Sequence, residues 1–433
     1  MTPGNQNKLF SKTKHQARGS LLAALDIGGS KVVCFIARVL DSEGNFEVIG
    51  VGHNPTVGFQ DGCITDISKA EVVIRKTVHA AENMAADVMK GYPLREVIVN
   101  LPGIHVKSHG RCIDIQVAGH QVSKNDINRA MAKAQESILS PHYELVHTLP
   151  IDYRIDGKGG VKHPIDMHGE HLSVDIHLLT GDTSSLQNMA DSIQRSHLDI
   201  SAFCASGYAA GLSCLVEDEL ELGCTVVDVG AGHTSIAVFN GGSMIYHESV
   251  ALGGRHLTGD IAKGLTTSLE NAERIKAMYG NAMASHSDEH ELIDVPRLGE
   301  ENEGREPNHV PRSLLVGIIQ PRMEEIFEMV RARLYDSGLG HAIGRRVVLT
   351  GGGSQLSGMK ELSAHVLDKQ VRLGRPLQLR GVPDAVSGPG FATVTGLLKY
   401  IAQHNNEMPA QIMMQSQPEG LWGKTRQWVR ENW

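Results

Sequence analysis

The chain has 433 residues, more than one hydrophobic core organises, so two or more domains are expected. Lys+Arg 41 against Asp+Glu 49 leaves a net charge of −8, an acidic balance that argues against a nucleic-acid partner. The hydrophobic share of 41% and charged share of 21% are those of a globular protein, and no stretch approaches the roughly 20 apolar residues needed to span a bilayer.

Residues 1–20 are polar and basic, without periodicity, and read as a disordered tail. Lys8, Lys12, Lys14 and Arg18 precede only a short apolar run at 21–25, so no signal peptide is expected and the protein is placed in the cytoplasm. That run is a strand leading into Asp26-Ile27-Gly28-Gly29-Ser30-Lys31; strands at 32–39 and 46–51 follow, separated by a turn at 41–45. An amphipathic helix at 70–89 and a buried strand at 97–101 come next. The stretch after 103 breaks the rhythm. It holds strands at 104–108 and 113–117, a helix opened by the capping box Ser123-Lys124-Asn125-Asp126, and a strand at 145–155. A strand at 172–179 is expected to return to the main sheet, which makes 103–179 an inserted subdomain. The opening pattern then recurs: 224–227 runs into Asp228-Val229-Gly230-Ala231-Gly232-His233-Thr234, followed by 235–239, a turn at 240–242, and 244–250. Such a repeat implies two domains of one α/β fold facing each other. A last strand at 346–350 runs into Gly351-Gly352-Gly353-Ser354-Gln355-Leu356, which opens a helix. Residues 403–418 read as a linker.

The six cysteines (Cys34, Cys63, Cys112, Cys204, Cys214, Cys224) form no CxxC pair, and several sit in apolar patterns, so buried free thiols are expected. The 22 histidines show no metal-binding spacing and read as mostly surface residues.

Glycine-rich turns directly after buried strands let backbone N–H groups converge on an anion. Gly28, Gly29 and Ser30, with the cation of Lys31, form one such candidate; Gly230, Ala231, Gly232, His233 and Thr234 form its counterpart. Asp26 and Asp228 end their strands facing one cleft, where carboxylates suit a magnesium ion held largely through water. Gly351, Gly352, Gly353, Ser354 and Gln355 add a third close approach to a nucleotide. ATP with Mg2+ is the expected ligand.

All three tryptophans fall in 419–433. At about 100° per residue, Leu421, Trp422, Trp428, Val429 and Trp433 share an arc of roughly 140°, with the charged residues outside it or at its edge. A helix with that pattern suits a membrane interface, although docking on protein is the plainer alternative.

In order, Asp26–Lys31, Asp228–Thr234 and Val347–Leu356 resemble the actin, heat-shock-chaperone and sugar-kinase superfamily. Within it the chain resembles the FtsA family of bacterial cell-division proteins. The likeness is carried by the insert after Val97-Ile98-Val99-Asn100-Leu101-Pro102-Gly103, by Leu252-Gly253-Gly254 through Thr258-Gly259-Asp260-Ile261-Ala262, and by Asn271-Ala272-Glu273-Arg274-Ile275-Lys276. Pro311-Arg312-Ser313-Leu314 and Ile318-Ile319-Gln320-Pro321-Arg322 complete it.

The resemblance implies a duplicated actin-like (RNase H-like), two-lobed fold of four subdomains. These are a first lobe of 21–102, 180–222 and 388–402; the insert at 103–179; a second lobe of 223–256 and 340–387; and its outer subdomain at 257–339. It also implies Glu273 and Lys276 at the ribose and adenine with Gly254 nearby, though three residues apart on a helix they equally suit an ordinary ion pair. Two small-residue segments, 205–211 and 391–396, should cross between the halves, either as a hinge or as tight core.

The implied partners are the tubulin-like division protein FtsZ through its C-terminal tail, further copies of the chain in a filament, membrane lipid, and other division proteins. Arg312 and Arg322 match positions of the FtsZ contact, or are simply solvated. The implied location is the cytoplasmic face of the inner membrane at the division site. Hydrolysing members of the superfamily orient water with an acid or amide just before the second turn, but 201–215 has neither, and His233 stands where Thr is common. Slow or absent hydrolysis is therefore expected. A pilus-assembly or cell-shape relative, or a sugar kinase, are the alternative readings.

Overall fold

Two five-stranded sheets carry the duplication. The first runs, edge to edge, Asp199–Ala205, Glu96–Leu101, Leu21–Ile27, Lys31–Val39 and Phe46–Pro55. The second runs Gln370–Leu373, Arg346–Thr350, Cys224–Val229, Thr234–Asn240 and Ser243–Val250. In each, an antiparallel three-strand meander is extended by two parallel strands, so the two central strands, the ones ending in Asp26 and Asp228, sit in equivalent places. Lys31–Val39 is buried nearly end to end, as expected of a strand covered on both faces. The computed structural model describes residues 19–41, 44–117, 120–138, 140–298 and 307–403. The tail up to residue 18, the linker from 404 and the helix expected at 419–433, with Leu421, Trp422, Trp428, Val429 and Trp433, lie outside the described residues. No helix among the described residues is long and apolar enough to cross a membrane.

The insert forms a sheet of its own over nearly the expected span, but its strands differ from the sequence expectation. The strands expected at 104–108 and 113–117 are one continuous strand, Val106–Gln116, paired along its length with His171–Asp182. That partner does not return to the main sheet: it lies inside the insert's own sheet, between Val106–Gln116 and Tyr143–Ile155. The polar run Ser108-His109-Gly110-Arg111 breaks the hydrophobic pattern but not the backbone ladder, because an edge strand keeps its hydrogen bonds whichever side chains it carries. Asp126 caps its helix as expected, accepting from the Ser123 N–H at 2.9 Å and the Ser123 hydroxyl at 2.6 Å. The first long helix starts earlier than expected, at Ile67, because Asp66 caps the Lys69 N–H.

Of the histidines read as surface residues, His147, His177 and His247 are buried. His177 and His247 occupy the junction where the insert meets the second lobe, His177 donating from Nδ1 to Met244 O at 2.9 Å and the His247 N–H donating to Ser108 Oγ at 3.3 Å, while His147 faces the first lobe and accepts from the Ala205 N–H at 3.1 Å. All six cysteines are free; Cys63 and Cys112 are exposed at strand ends and edges, and the other four are buried.

The segments expected to cross do so. Helices Ser206–Cys214 and Ala392–Gln403 pack so closely that a Cβ on Gly396 would lie 1.7 Å from Ala209 O, and one on Gly211 would lie 2.2 Å from the Phe239 ring. One hydrophobic core runs through this crossing, joining first-sheet residues to Val226, Ala237, Phe239 and Val348 of the second sheet. Gly396→Ala forces two backbones apart, and the expected cost is about 2–3 kcal/mol. Thermal unfolding checks this, and an unchanged midpoint would contradict the packing described.

Candidate functional site

Each central strand ends in the same turn. Gly28 N–H donates to Lys31 O and Gly230 N–H to His233 O, both at 3.0 Å. A Cβ on Gly28 or on Gly230 would stand 2.9 Å from that same carbonyl in each case, so both turns need a residue without a side chain for one reason. The turns abut: a Cβ on Gly29 would come within 3.1 Å of Gly232 N and 3.3 Å of Ala231 Cβ. Behind the second turn, Gly254 N–H donates to Gly230 O at 2.9 Å, which brings the N-terminus of helix Gly254–Leu265 to the same place.

The third glycine cluster packs on the second turn from behind. Gly351 has φ +86° and ψ 167°, a conformation confined in practice to glycine. Its absent side chain leaves room for Asp228, since a Cβ there would lie 2.2 Å from Asp228 Oδ1.

Together these segments line a cavity of about 800 Å³. Its wall takes in Asp26, Gly28, Gly29, Ser30, Lys31, Asp228, Gly230, Ala231, Gly232, His233, Gly254, Glu273, Lys276, Gly351, Gly352, Gly353 and Gln355. Two expected residues are absent from it. Thr234 is fully buried and gives its hydroxyl to Leu252 O at 2.9 Å; Ser354 is buried and bonds Gly351 O at 2.8 Å. Both hold the loops together from behind, because the residue after a tight turn re-enters its strand or helix.

The carboxylates are electrostatically costly. Burial, then repulsion from Asp228, pushes Asp26 up to about 7, against a pull down from Lys31. Asp228 is pushed up to about 6 by burial, partly offset by the Thr393 hydroxyl 3.4 Å away. Lys31 is itself lowered to about 8 by burial, and its ammonium stands over the Phe391 ring, 3.2 Å from the centroid. Two carboxylates, Asp26 buried and Asp228 half-buried, against one ammonium form an acceptor set short of positive charge, which suits a hard divalent cation.

At the opposite end, Lys276 Nζ donates to Gly254 O at 3.1 Å, Thr258 Oγ1 at 2.8 Å and Glu273 Oε2 at 2.6 Å. Glu273 also accepts from the Thr258 hydroxyl at 2.6 Å. The ion pair allowed by the i, i+3 spacing does form, but on the cavity wall and tied to a neighbouring helix through Thr258. The sequence signal for Thr258 was its place one helical turn after Gly254. Two more wall residues lay outside the expected set. The Asn100 side chain clamps Ile27, accepting from its N–H at 2.7 Å and donating to its carbonyl at 3.3 Å, and it also donates to Ser206 Oγ. Arg255 donates to Gly29 O at 2.8 Å across the two turns.

Two family models match: "Cell division protein FtsA" over residues 225–396 and "SHS2 domain inserted in FTSA" over residues 103–180. The cell division protein FtsA of Rhizobium meliloti (strain 1021) is 39% identical over 392 residues, covering 88% of this chain and 87% of that one. The chain belongs to the FtsA family. The FtsA of Agrobacterium fabrum is 36% identical, covering 96% and 95% of the two chains, and that of Escherichia coli K12 is 30% identical, covering 88% and 90%. It is therefore a cell-division protein. Among solved structures, this FtsA is similar to the PilM-PilN type IV pilus biogenesis complex (TM-score 0.62, 17% identity, 88% of this chain and 98% of that one). It is also similar to MreB5 of Spiroplasma citri bound to ADP (TM-score 0.54, 12% identity, 90% and 98%). At those identities the likeness is one of fold: the duplicated, actin-like α/β architecture.

In this FtsA neither arginine expected at a partner surface is a free side chain. Arg312 donates to Tyr279 O and Glu291, pairs with Asp288 and reaches the cavity wall. Arg322 is held by Asp260 at 2.5 Å and by Glu325. Both are mostly covered, at 20% and 25% exposure, so they shape the outer face of the second lobe more than they project from it.

Proposed function

We propose that this FtsA binds ATP with Mg2+ between its lobes, polymerises, and anchors the FtsZ ring to the cytoplasmic face of the inner membrane through 419–433. The observation that carries the nucleotide reading is the pair of equivalent turns meeting on one cavity, with Asp26 and Asp228 behind them. Backbone N–H groups of both turns and the Lys31 ammonium would receive the phosphates, and the two carboxylates would hold Mg2+ through water. The ion would offset phosphate charge and relieve the repulsion between the acids. Glu273, Lys276 and Gly254 would face the ribose and base, with Gly351, Gly352, Gly353 and Gln355 along the nucleotide. A solved MreB5 bound to ADP supports the reading by fold.

Hydrolysis should be slow. The segment 201–215 offers the wall only the Ser206 hydroxyl, which is bonded to Leu101 O at 3.0 Å, and the wall amide of Asn100 is committed to Ile27. The nucleotide then acts as a brace that sets lobe closure and self-association. One amphipathic helix with a few buried aromatics binds lipid weakly, since each large apolar side chain contributes up to about 1.5–3 kcal/mol before ordering costs. Linked copies bind by avidity, which gives polymerisation a physical purpose.

The test uses the full chain. Fluorescent ATP should bind with an affinity that EDTA weakens, and filaments should form on lipid monolayers. Removing 419–433 should abolish co-sedimentation with anionic liposomes while nucleotide affinity stays as it was. Failure of the full chain to bind ATP refutes the nucleotide reading, and liposome binding by the truncated chain refutes the tether. A pull-down with the C-terminal tail peptide of FtsZ tests the partner.

A further inference from the structure

The two turns are equivalent in backbone but not in charge. Lys31 closes the first; His233 holds the same place in the second, where Gly230 N–H meets its carbonyl. His233 carries no charge at neutral pH, because burial and then repulsion from His105 push it down to about 4. The second lobe supplies a cation from elsewhere. Arg255 is anchored to the second turn by its own N–H, which donates to Ala231 O at 2.8 Å, and its side chain crosses to the first turn, where Nη2 donates to Gly29 O. On its far side, Nη1 lies 3.8 Å from Asp61 Oδ1, an ion pair beyond hydrogen-bonding distance. That Asp61 oxygen is buried without a hydrogen-bond partner. Asp61 stands at φ +51° in the turn between Phe59–Gln60 and Cys63–Ile64, pressed on the second turn, where a Cβ on Gly232 would lie 2.6 Å from its Cα.

A guanidinium has several N–H donors in a planar fork suited to phosphate. Here, among the described residues, its side chain makes one hydrogen bond, to a neutral carbonyl, and one loose ion pair, while lining the cavity at the tips of both turns. Its side chain is 37% exposed, so it can swing by a rotamer without unpacking a core.

Resting on the nucleotide reading above, we propose that Arg255 is the second lobe's ligand for the terminal phosphate of a nucleoside triphosphate, exchanging the Gly29 carbonyl for that phosphate. Asp61 orients the guanidinium without touching the nucleotide. The consequence is discrimination: a diphosphate ends short of the fork, so Arg255 contributes to triphosphate binding and to lobe closure but little to diphosphate binding.

The experiment measures dissociation constants for Mg-ATP and Mg-ADP with the wild-type full chain, Arg255→Ala and Arg255→Lys. The ratio of ADP to ATP dissociation constants should fall about tenfold or more in Arg255→Ala, the size of a lost charge-assisted hydrogen bond, and part of the way in Arg255→Lys. A purely structural clasp would weaken both nucleotides alike, and an unchanged ratio in both variants overturns the inference while leaving the nucleotide reading in place. Wild-type protein that binds neither nucleotide overturns both. Should Arg255→Ala fail to fold, Arg255→Lys, which keeps the charge and loses the fork, decides by the same ratio.

Discussion

Gly351→Ala should unfold this protein roughly 5–10 °C earlier and remove most of its nucleotide affinity. Two costs add at that position. At φ +86° and ψ 167° a side chain strains the backbone by about 1–3 kcal/mol. The new Cβ would also lie 2.2 Å from Asp228 Oδ1 and 2.5 Å from Val229 O, and overpacking of that kind costs about 1–3 kcal/mol more. The carboxylate is the softer of the two obstacles, so it moves, and it is the group assigned to the metal. Gly352→Ala is the control for stability: nothing lies within 4 Å of a Cβ there, and its φ is not in the left-handed region. Thermal melts of the two variants with an ATP titration make the comparison; equal melting points would show that the third glycine cluster is ordinary loop.

Asp26→Asn should act in the opposite sense, stabilising the nucleotide-free protein while removing the magnesium dependence of ATP binding. The sign follows from linkage. Asp26 is raised from 3.8 to about 7 on folding, so above pH 4 the native state binds more protons than the unfolded chain, and stability is lost as pH rises toward 7. A shift of that size is worth roughly 4 kcal/mol at most. The buried histidines have the reverse slope: His177 and His233 at about 4 and His247 at about 3 are lowered by burial, so they favour folding as pH rises toward 6.5. The whole-protein pH curve therefore mixes the two. The difference between wild type and Asp26→Asn isolates the carboxylate, and in EDTA the stabilisation should be less than half as large at pH 5 as at pH 8. A gain that is the same at both values would mean that Asp26 does not titrate between them.

The duplication was legible because it is written twice in local terms: strand, Asp-x-Gly turn, strand. Parallel pairing of Arg346–Thr350 beside Cys224–Val229 brought the third glycine cluster to the site, as order along the chain suggested. The insert's limits were legible, but its strands were misread, because period-two reasoning sees side chains, and the strand Val106–Gln116 keeps its backbone pairing through a polar stretch. Thr234 and Ser354 look like ligands in a motif; only the packing shows their hydroxyls turned to Leu252 and Gly351. Arg255 was hidden for a different reason. Its partners Gly29 and Asp61 lie about two hundred residues earlier, and only the meeting of the lobes puts them in reach.

Thr393, whose hydroxyl faces Asp228, belongs to the first turn of the helix Ala392–Gln403. That helix of 12 residues is about 18 Å long, and its last residue is where the chain departs toward the tryptophan-bearing end. Gly396 seats it directly on the Ala209 backbone, near the Asp228 end. Val394, Leu397, Leu398 and Ala402 bury the same helix in the core, so the group that faces the acid and the place where the chain leaves the fold belong to one rigid rod.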